Sequence, residues 1–389
     1  MKKDWELKKL GEVTQICLGL THTPKYQETG IPFISVKDIS SGNLSFDNTK
    51  RIAKEEYDSM PWGAKPKKGD VLFCRVGTIG IPQIVKTDVE FGIFVSVGFF
   101  RTYEILFNEY LKYWLYSDNF FYQVEKNVVG STIKNLNTGW LKNFTLPLPP
   151  LEEQKRIVKI LDEKFAQLET IKTNAQINLQ NAKDLFQSQL TKAFSNTTWE
   201  KKRLDEVCAI TSKLVDPTLP EYLDLYHVGG ANIESETGIL LDLKTSKEEG
   251  LSSGKFTFDE SMVLYNKIRP YLKKVARPDF AGLCSADMYP LNPKNNITKD
   301  YLYYILISDD FTKYAISKSD RAGMPKVNRE ALFAYECYLP PLPEQKRIVK
   351  ELDTLSEKTK ALQNIYEKML LDCDELKQSL LQKAFEGEL

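Results

Sequence analysis

The residue types that could carry out a reaction are sparse in this chain. Its only histidines are His22 and His227, which argues against a catalytic triad or a zinc protease. No G-x-x-x-x-G-K-[ST] or G-x-G-x-x-G phosphate loop is present, and GTIG at Gly77–Gly80 is a turn signal without phosphate-binding spacing. RPDF at Arg277–Phe280 could open a nuclease-type acidic cluster, but no glutamate follows until Glu330. The six cysteines, Cys17, Cys74, Cys208, Cys284, Cys337 and Cys373, form no C-x-x-C pair and read as buried thiols rather than a metal site.

The chain does offer chemistry for recognition. Residues 262–278, MVLYNKIRPYLKKVARP, hold Lys267, Arg269, Lys273, Lys274 and Arg277 without one acid. Such a segment can neutralise phosphates and bring an arginine to a guanine edge, although it also reads as a solvated strand face with lysines on an edge. In the first half, residues 126–151 contain no Asp or Glu. There GSTIKNLN offers Ser131, Thr132, Lys134, Asn135 and Asn137, suited to backbone or base contacts and equally to caps and turns. Arg75 and Thr78 on the CRVGTIG turn, and Arg321, Lys326, Asn328 and Arg329 on the loop that corresponds in the second half, complete the candidate DNA contacts.

Bulk composition limits how such contacts can act. Lys plus Arg equals Asp plus Glu at 53 each, so nucleic-acid binding has to come from local patches rather than overall charge. The length of 389 residues allows two or three domains. No apolar run reaches the roughly 18 residues of a membrane span, and the start lacks the apolar core of a signal peptide, so the cytoplasm is the expected location and no membrane partner is expected.

A tandem duplication organises the chain. PPLEEQKRIVKILD at Pro149–Asp162 returns as PPLPEQKRIVKELD at Pro340–Asp353, a shift of 191 residues. At the same shift YLKYWLYSDNF (Tyr110–Phe120) matches YLYYILISDDF (Tyr301–Phe311), and LTKAF (Leu190–Phe194) matches LQKAF (Leu381–Phe385). Each copy opens with a mixed region. Apolar runs such as IPFISV, DVLFCRV and FGIFVSVGFF (Phe91–Phe100) in the first copy, and LDLYHV and MVLYNKI in the second, suggest strands between Gly and Pro punctuation. Helices are expected over 108–125 and 299–316.

Each copy then closes with one long helix. Tandem prolines stop what precedes it, and Glu152, Glu153 and Glu344 suit the positive end of a helix dipole. Apolar residues recur at steps of three and four, from Ile157, Leu161, Phe165, Leu168 and Ile171 to Leu190, and from Ile348 and Leu352 through Leu362, Ile365 and Leu376 to Ala384. A helix of that length is roughly 65 Å long and needs a partner. The short link at Ser195–Thr198 favours an antiparallel intramolecular coiled coil, with a globular α/β domain at each end and an approximate two-fold between the copies. The expected divisions are 1–148 and 197–339 for the domains, 149–196 and 340–389 for the helices. Glu152, Gln154, Lys155, Arg156, Gln345, Lys346 and Arg347 near the two helix starts are candidates for an outward face, and two copies of one surface could receive two copies of one partner.

These features together resemble the specificity subunits of type I restriction-modification systems. The resemblance rests on the repeated P-P-L-x-E-Q-K-R-I-V phrase in a two-domain context, and on GDVLFCRVGTIG, GSTIKNLN and AGMPKVN. It implies that each globular domain is a target-recognition domain reading one half of a bipartite, asymmetric site on double-stranded DNA. The helices would set the spacing and dock two methyltransferase (modification) subunits, with restriction (translocase and nuclease) subunits joining the complex. It also implies a non-catalytic chain without cofactor, with S-adenosylmethionine, ATP and Mg on the partner subunits. In keeping with this, the nearest string to an N-P-P-[YF] methyltransferase motif is NPKN at Asn292–Asn295, which lacks the second proline and the aromatic residue. The rival reading is a structural adaptor, a coiled-coil rod holding two protein-binding domains, which would not need the acid-free basic segments.

If the helices act as a ruler, each residue removed moves a domain by roughly 1.5 Å, against roughly 3.4 Å per base pair. Deleting one matched turn from both helices is therefore expected to shorten or abolish the accepted spacer. Methylation mapping that returns an unchanged target would refute the ruler.

Overall fold

The computed structural model describes residues 5–40, 42–77, 79–127, 136–319 and 325–389. Two compact units emerge, Met1–Ala175 with Lys368–Leu389, and Gln176–Glu367. These differ from the expected divisions because each domain completes its core with the start of one long helix and the end of the other. In the first unit Ile157, Val158 and Leu161 share a buried cluster with Leu381, Ala384 and Phe385, beneath Tyr110, Trp114 and Phe144. In the second, Leu190 joins Ile348, Val349 and Leu352 beneath Tyr301 and Tyr304.

The first unit contains two four-stranded sheets. One is antiparallel, in the order Thr14–Leu18, Val97–Thr102, Val71–Cys74, Gly80–Ile84; the other runs Tyr26–Gln27, Lys50–Ile52, Ile31–Ile34, Gly92–Ile93, with a parallel last pair. The apolar run at Phe91–Phe100, which reads as one strand, is thus shared between the two sheets, with a turn between its pieces where the Val97 N–H donates to the Phe94 carbonyl at 2.8 Å. Gly19 lies against that turn so closely that a Cβ would stand 2.3 Å from the Phe94 backbone. The second unit repeats the plan with a four-stranded sheet (Cys208–Ala209, Met288–Pro293, Val263–Asn266, Val275–Ala276) and a five-stranded one (Leu214–Val215, Lys255–Phe258, Gly282–Cys284, Tyr226–Val228, Lys244–Thr245). In each unit an antiparallel ribbon ties entry to exit, Glu6–Lys9 with Thr145–Leu148 and Glu200–Arg203 with Glu336–Leu339. All six cysteines are buried, and burial pushes the Cys208, Cys284 and Cys337 thiols up to about 12.

Each helix expected after the sheets is in fact two, Asn108–Trp114 with Asp118–Asn127 and Lys299–Ile307 with Asp309–Ser317. The breaks fall at equivalent serines. Ser117 donates to the Trp114 carbonyl and accepts from the Phe120 N–H, while Ser308 donates to Ile305 and accepts from Phe311. A serine followed by aspartate ends one helix and caps the next.

The long helices span Leu151–Phe194 and Leu342–Glu386. Within each unit they run antiparallel. In the first, the Arg156 guanidinium reaches the Leu389 carbonyl at 2.5 Å and Lys172 pairs with Asp374 at 2.7 Å. The buried seam is narrower than the apolar stripes. In the first unit it passes through Leu168, Ala175 and Cys373, in the second through Ala182 and Thr359, whereas Ile171, Leu362, Ile365 and Leu376 stay exposed. Two helices alone cover only a narrow strip of each other, so the rest of a wide stripe faces outward unless a domain lies over it.

The repeated helix-opening phrase proves to be an attachment. Gln154, fully buried, accepts from the Phe107 N–H at 2.8 Å and donates to the Ile105 and Pro149 carbonyls at 2.9 and 2.8 Å. Gln345, also fully buried, makes the same three bonds to Thr298, Asn296 and Pro340, each at 2.9 Å. About two turns further on, Asp162 accepts from the Tyr113 hydroxyl and Asp353 from that of Tyr304. Removing either glutamine strands buried backbone groups at about 1–3 kcal/mol each. Gln345→Ala is therefore expected to lower stability by roughly 2–4 kcal/mol, read as an earlier denaturation midpoint, and Gln154→Ala to do the same for the first unit.

Candidate nucleic-acid interface

In the second unit the loop 267–274 links strands Val263–Asn266 and Val275–Ala276. It is pinned to a second loop by a short backbone pairing, the Arg269 N–H donating to Pro325 at 2.8 Å and the Val327 N–H to Lys267 at 3.0 Å. Arg269 and Lys273 both adopt left-handed backbone angles, φ 52° and 47°, costing roughly 1–2 kcal/mol for an L-residue. Between them Pro270 is buried while Tyr271 stands 50% exposed. The pairing brings the exposed Arg269 and Lys326 onto adjacent loops, with exposed Arg329 opening the helix that follows the second. Asn328 beside them caps the helix Arg329–Phe333, accepting from the Ala331 N–H at 2.7 Å.

The other cations of the basic segment turn inward. Lys267 donates to the Ala286 carbonyl and lies over the Tyr289 ring, Lys273 pairs with Asp309, and Lys274 donates to the Gly230 carbonyl. Arg277 joins Asp300 at 2.8 Å and Asp353 at 2.5 Å while stacked on Tyr303 and Tyr304, so it attaches the domain to the second helix. A segment free of acids in sequence therefore finds its acids in space, and Arg269 remains its one exposed basic residue. Burial holds the Lys267 ammonium below the usual lysine range, with Lys326 and Arg329 acting in the same sense and Asp287 opposing them. Asp287 lies 3.9 Å from Lys267 and 3.8 Å from Lys326 and offsets part of the positive charge there.

The first unit pairs its loops in the same way. The Leu136 N–H donates to the Arg75 carbonyl at 3.0 Å, and the Arg75 Nε returns a bond to the Leu136 carbonyl at 2.8 Å. Its Nη1 donates to Val95 at 3.2 Å, and burial draws the guanidinium below its usual range. Arg75 thus positions the loop with donors already engaged. The GTIG turn occupies the connection taken by RPYLK in the second unit and supplies its own left-handed residues, Gly77, Gly80 and Ile81. Asn137 caps the short helix Thr138–Leu141 through the Gly139 N–H at 2.8 Å, on which Trp140 is 39% exposed. Thr78, Ser131, Thr132, Lys134, Asn135 and Arg321 lie outside the described residues.

At the helix starts the candidate partner surface divides. Gln154 and Gln345 leave it, since both are interior. Glu152, Lys155, Arg156, Lys346 and Arg347 stay exposed. Most form local pairs, Lys155 with Glu152, Arg156 with Glu153, and Arg347 with Glu344 and Glu351; such surface pairs contribute about 0–1 kcal/mol and are easily exchanged for a partner's groups. Charge-based reasoning missed the exposed aromatics Tyr271 and Trp140, although both lie inside the segments it had singled out.

Duplicated domains, duplicated helix attachments and paired loops define a class. The family model of the Type I restriction modification DNA specificity domain matches residues 2–179 and 196–370, and the chain belongs to that family. It is 32% identical over 342 residues to the Type I restriction enzyme EcoDI specificity subunit of Escherichia coli, covering 77% of this chain and 76% of that one. It is also 23% identical to the StySPI specificity subunit of Salmonella potsdam, over 100% of this chain and 90% of the relative. Among solved structures it resembles a chain from a study of complex assembly and conformational transition in a type I restriction-modification system, with TM-score 0.79, 20% identity and coverage of 100% and 99%. The HsdS subunit of Thermoanaerobacter tengcongensis superposes with TM-score 0.63 at 21% identity, over 100% and 98%.

The strained backbone at Arg269 separates fold from function. Arg269→Gly relieves the left-handed penalty and is expected to stabilise the second unit by up to about 1 kcal/mol while weakening duplex binding. A parallel fall in melting temperature and affinity would show that the arginine is there for structure.

Proposed function

We propose that this chain is the DNA-recognition subunit of a type I restriction-modification complex, each unit reading one half of a bipartite, asymmetric target on double-stranded DNA. Two methyltransferase subunits dock on the long helices, and restriction subunits join the full assembly. S-adenosylmethionine, ATP and Mg act on those partners, and the chain itself is non-catalytic and works in the cytoplasm. The observation that supports this reading best is the duplicated paired-loop surface, built in each unit on a turn with left-handed residues and fixed to the sheet beneath it. The relatives named above are themselves called specificity subunits.

The turning inward of Lys267, Lys273, Lys274 and Arg277 favours the adaptor reading, because it leaves a smaller basic surface than the sequence promised. Duplex titration against salt, with the modification subunits present, separates the two. A recognition subunit loses affinity steeply between low and moderate salt, whereas an adaptor binds no duplex at any salt. Replacing the loops 267–274 and 325–329 together is expected to change one half of the methylated motif and leave the other intact, as read by single-molecule methylation mapping. An assembled complex that still methylates the original motif would overturn the reading.

A further inference from the structure

The first unit holds a second basic site, away from its paired loops. A pocket of 380 Å³ is lined by Asn43, Phe46, Gln83, Lys86, Thr87 and Lys112, among others. Lys112 is half-buried on the helix Asn108–Trp114, and Lys86 follows the strand Gly80–Ile84. Among the described residues no carboxylate lies within ion-pair distance of either, and the side-chain amides of Asn43 and Gln83 make no hydrogen bond. Two acids are close by without neutralising them. Asp162 is taken by the Tyr113 hydroxyl, and Glu109, three residues before Lys112, keeps one buried oxygen without a partner. A third cation, Lys377 of the second long helix, lies over the rings of Phe165 and Tyr116 at 5.2 and 6.0 Å. Burial holds the Lys112 ammonium below the usual lysine range, Lys86 and Lys377 add to the effect, and Asp162 and Glu109 offset part of it.

The duplication supplies the control. At the shift of 191, Lys112 corresponds to Tyr303, while Glu109 and Asp162 correspond to Asp300 and Asp353; by strand register the place of Arg277 is taken by Ile84, two residues before Lys86. In the second unit those four close on one another, with Arg277 stacked on Tyr303 and bonded to both aspartates. In the first unit Ile84 stands in place of that arginine, and Lys86 and Lys112 lie beside Asn43 and Gln83 with no ion pair among the described residues. A half-buried ammonium beside a second, exposed one, with no counter-charge paired to either, costs stability, and a pocket that retains them suits an anion with several acceptor oxygens.

We propose that the pocket around Lys86 and Lys112 binds a phosphate group, with Asn43, Gln83 and Thr87 as further polar groups and Lys377 as a more distant positive charge. The phosphate is either free or part of a nucleic-acid backbone; in the second case the site extends the DNA-recognition reading above and rests on it. The test uses the full chain and the double variant Lys86→Gln/Lys112→Gln. Inorganic phosphate and pyrophosphate, compared with chloride at equal ionic strength, are expected to raise the wild-type melting temperature. The variant is expected to start higher, freed of the repulsion, and not to respond. With the modification subunits present, a backbone phosphate appears as a duplex-binding salt slope shallower by about 0.9 in the variant, the value for one phosphate contact. A phosphate response without a changed slope assigns a free anion, and a changed slope without a phosphate response assigns the backbone. Phosphate no better than chloride, together with identical slopes, overturns the proposal while leaving duplex recognition standing. Phosphate binding with no duplex binding by the wild-type complex would leave the pocket and remove the recognition reading instead.

Discussion

One buried glutamine per repeat, with its three backbone partners, is the constraint on which the rest depends. Gln154 and Gln345 each join the loop before a helix pair to the first turn of a long helix. The side chain must be an amide of that length, because the site asks for one acceptor and two donors at once. A tyrosine–carboxylate bond to the same helix, and the aromatic cluster beneath it, then fix the rotation of the domain about the helix. Recognition by a surface needs that rigidity, since a base-edge contact displaced by an ångström is lost.

The two units use this shared frame for different surfaces. Where the second places the stacked and doubly bonded Arg277, the first has an open basic pocket. Where the first turns on glycines, the second forces Arg269 and Lys273 into the same left-handed region. Strain of this kind persists only where the surroundings over-determine it, as the Arg269–Pro325 and Val327–Lys267 bonds do here. Identical attachments with divergent loops suit a family in which the frame is constant and the message varies.

Much of the frame was legible in the sequence. The repeats, the two long helices and their antiparallel sense followed from periodicity, punctuation and the length of one short link. The breaks at Ser117 and Ser308 were readable too, in a serine–aspartate pair that the apolar pattern overshadowed. The inward turn of four cations was not legible, because their acids, Asp309, Asp300 and Asp353 and the backbone carbonyls, lie far along the chain. Sequence places the polar glutamine of an E-Q-K-R run on a wet face, whereas a neighbouring loop turns its position into an interior one. The stripe widths misled for the opposite reason, since periodicity reports which residues are apolar and not how much surface the partner helix can cover.

The ribbons Glu6–Lys9 with Thr145–Leu148 and Glu200–Arg203 with Glu336–Leu339 bring the two ends of each globular region side by side. A segment whose ends meet can be cut out and replaced without lengthening or stretching anything outside it. Genetic crossovers falling in those strands would therefore trade a whole globular region between related genes, and the inherited clasp would accept the newcomer at once. A new surface can arise in a single exchange, without the slow repair of a disturbed core.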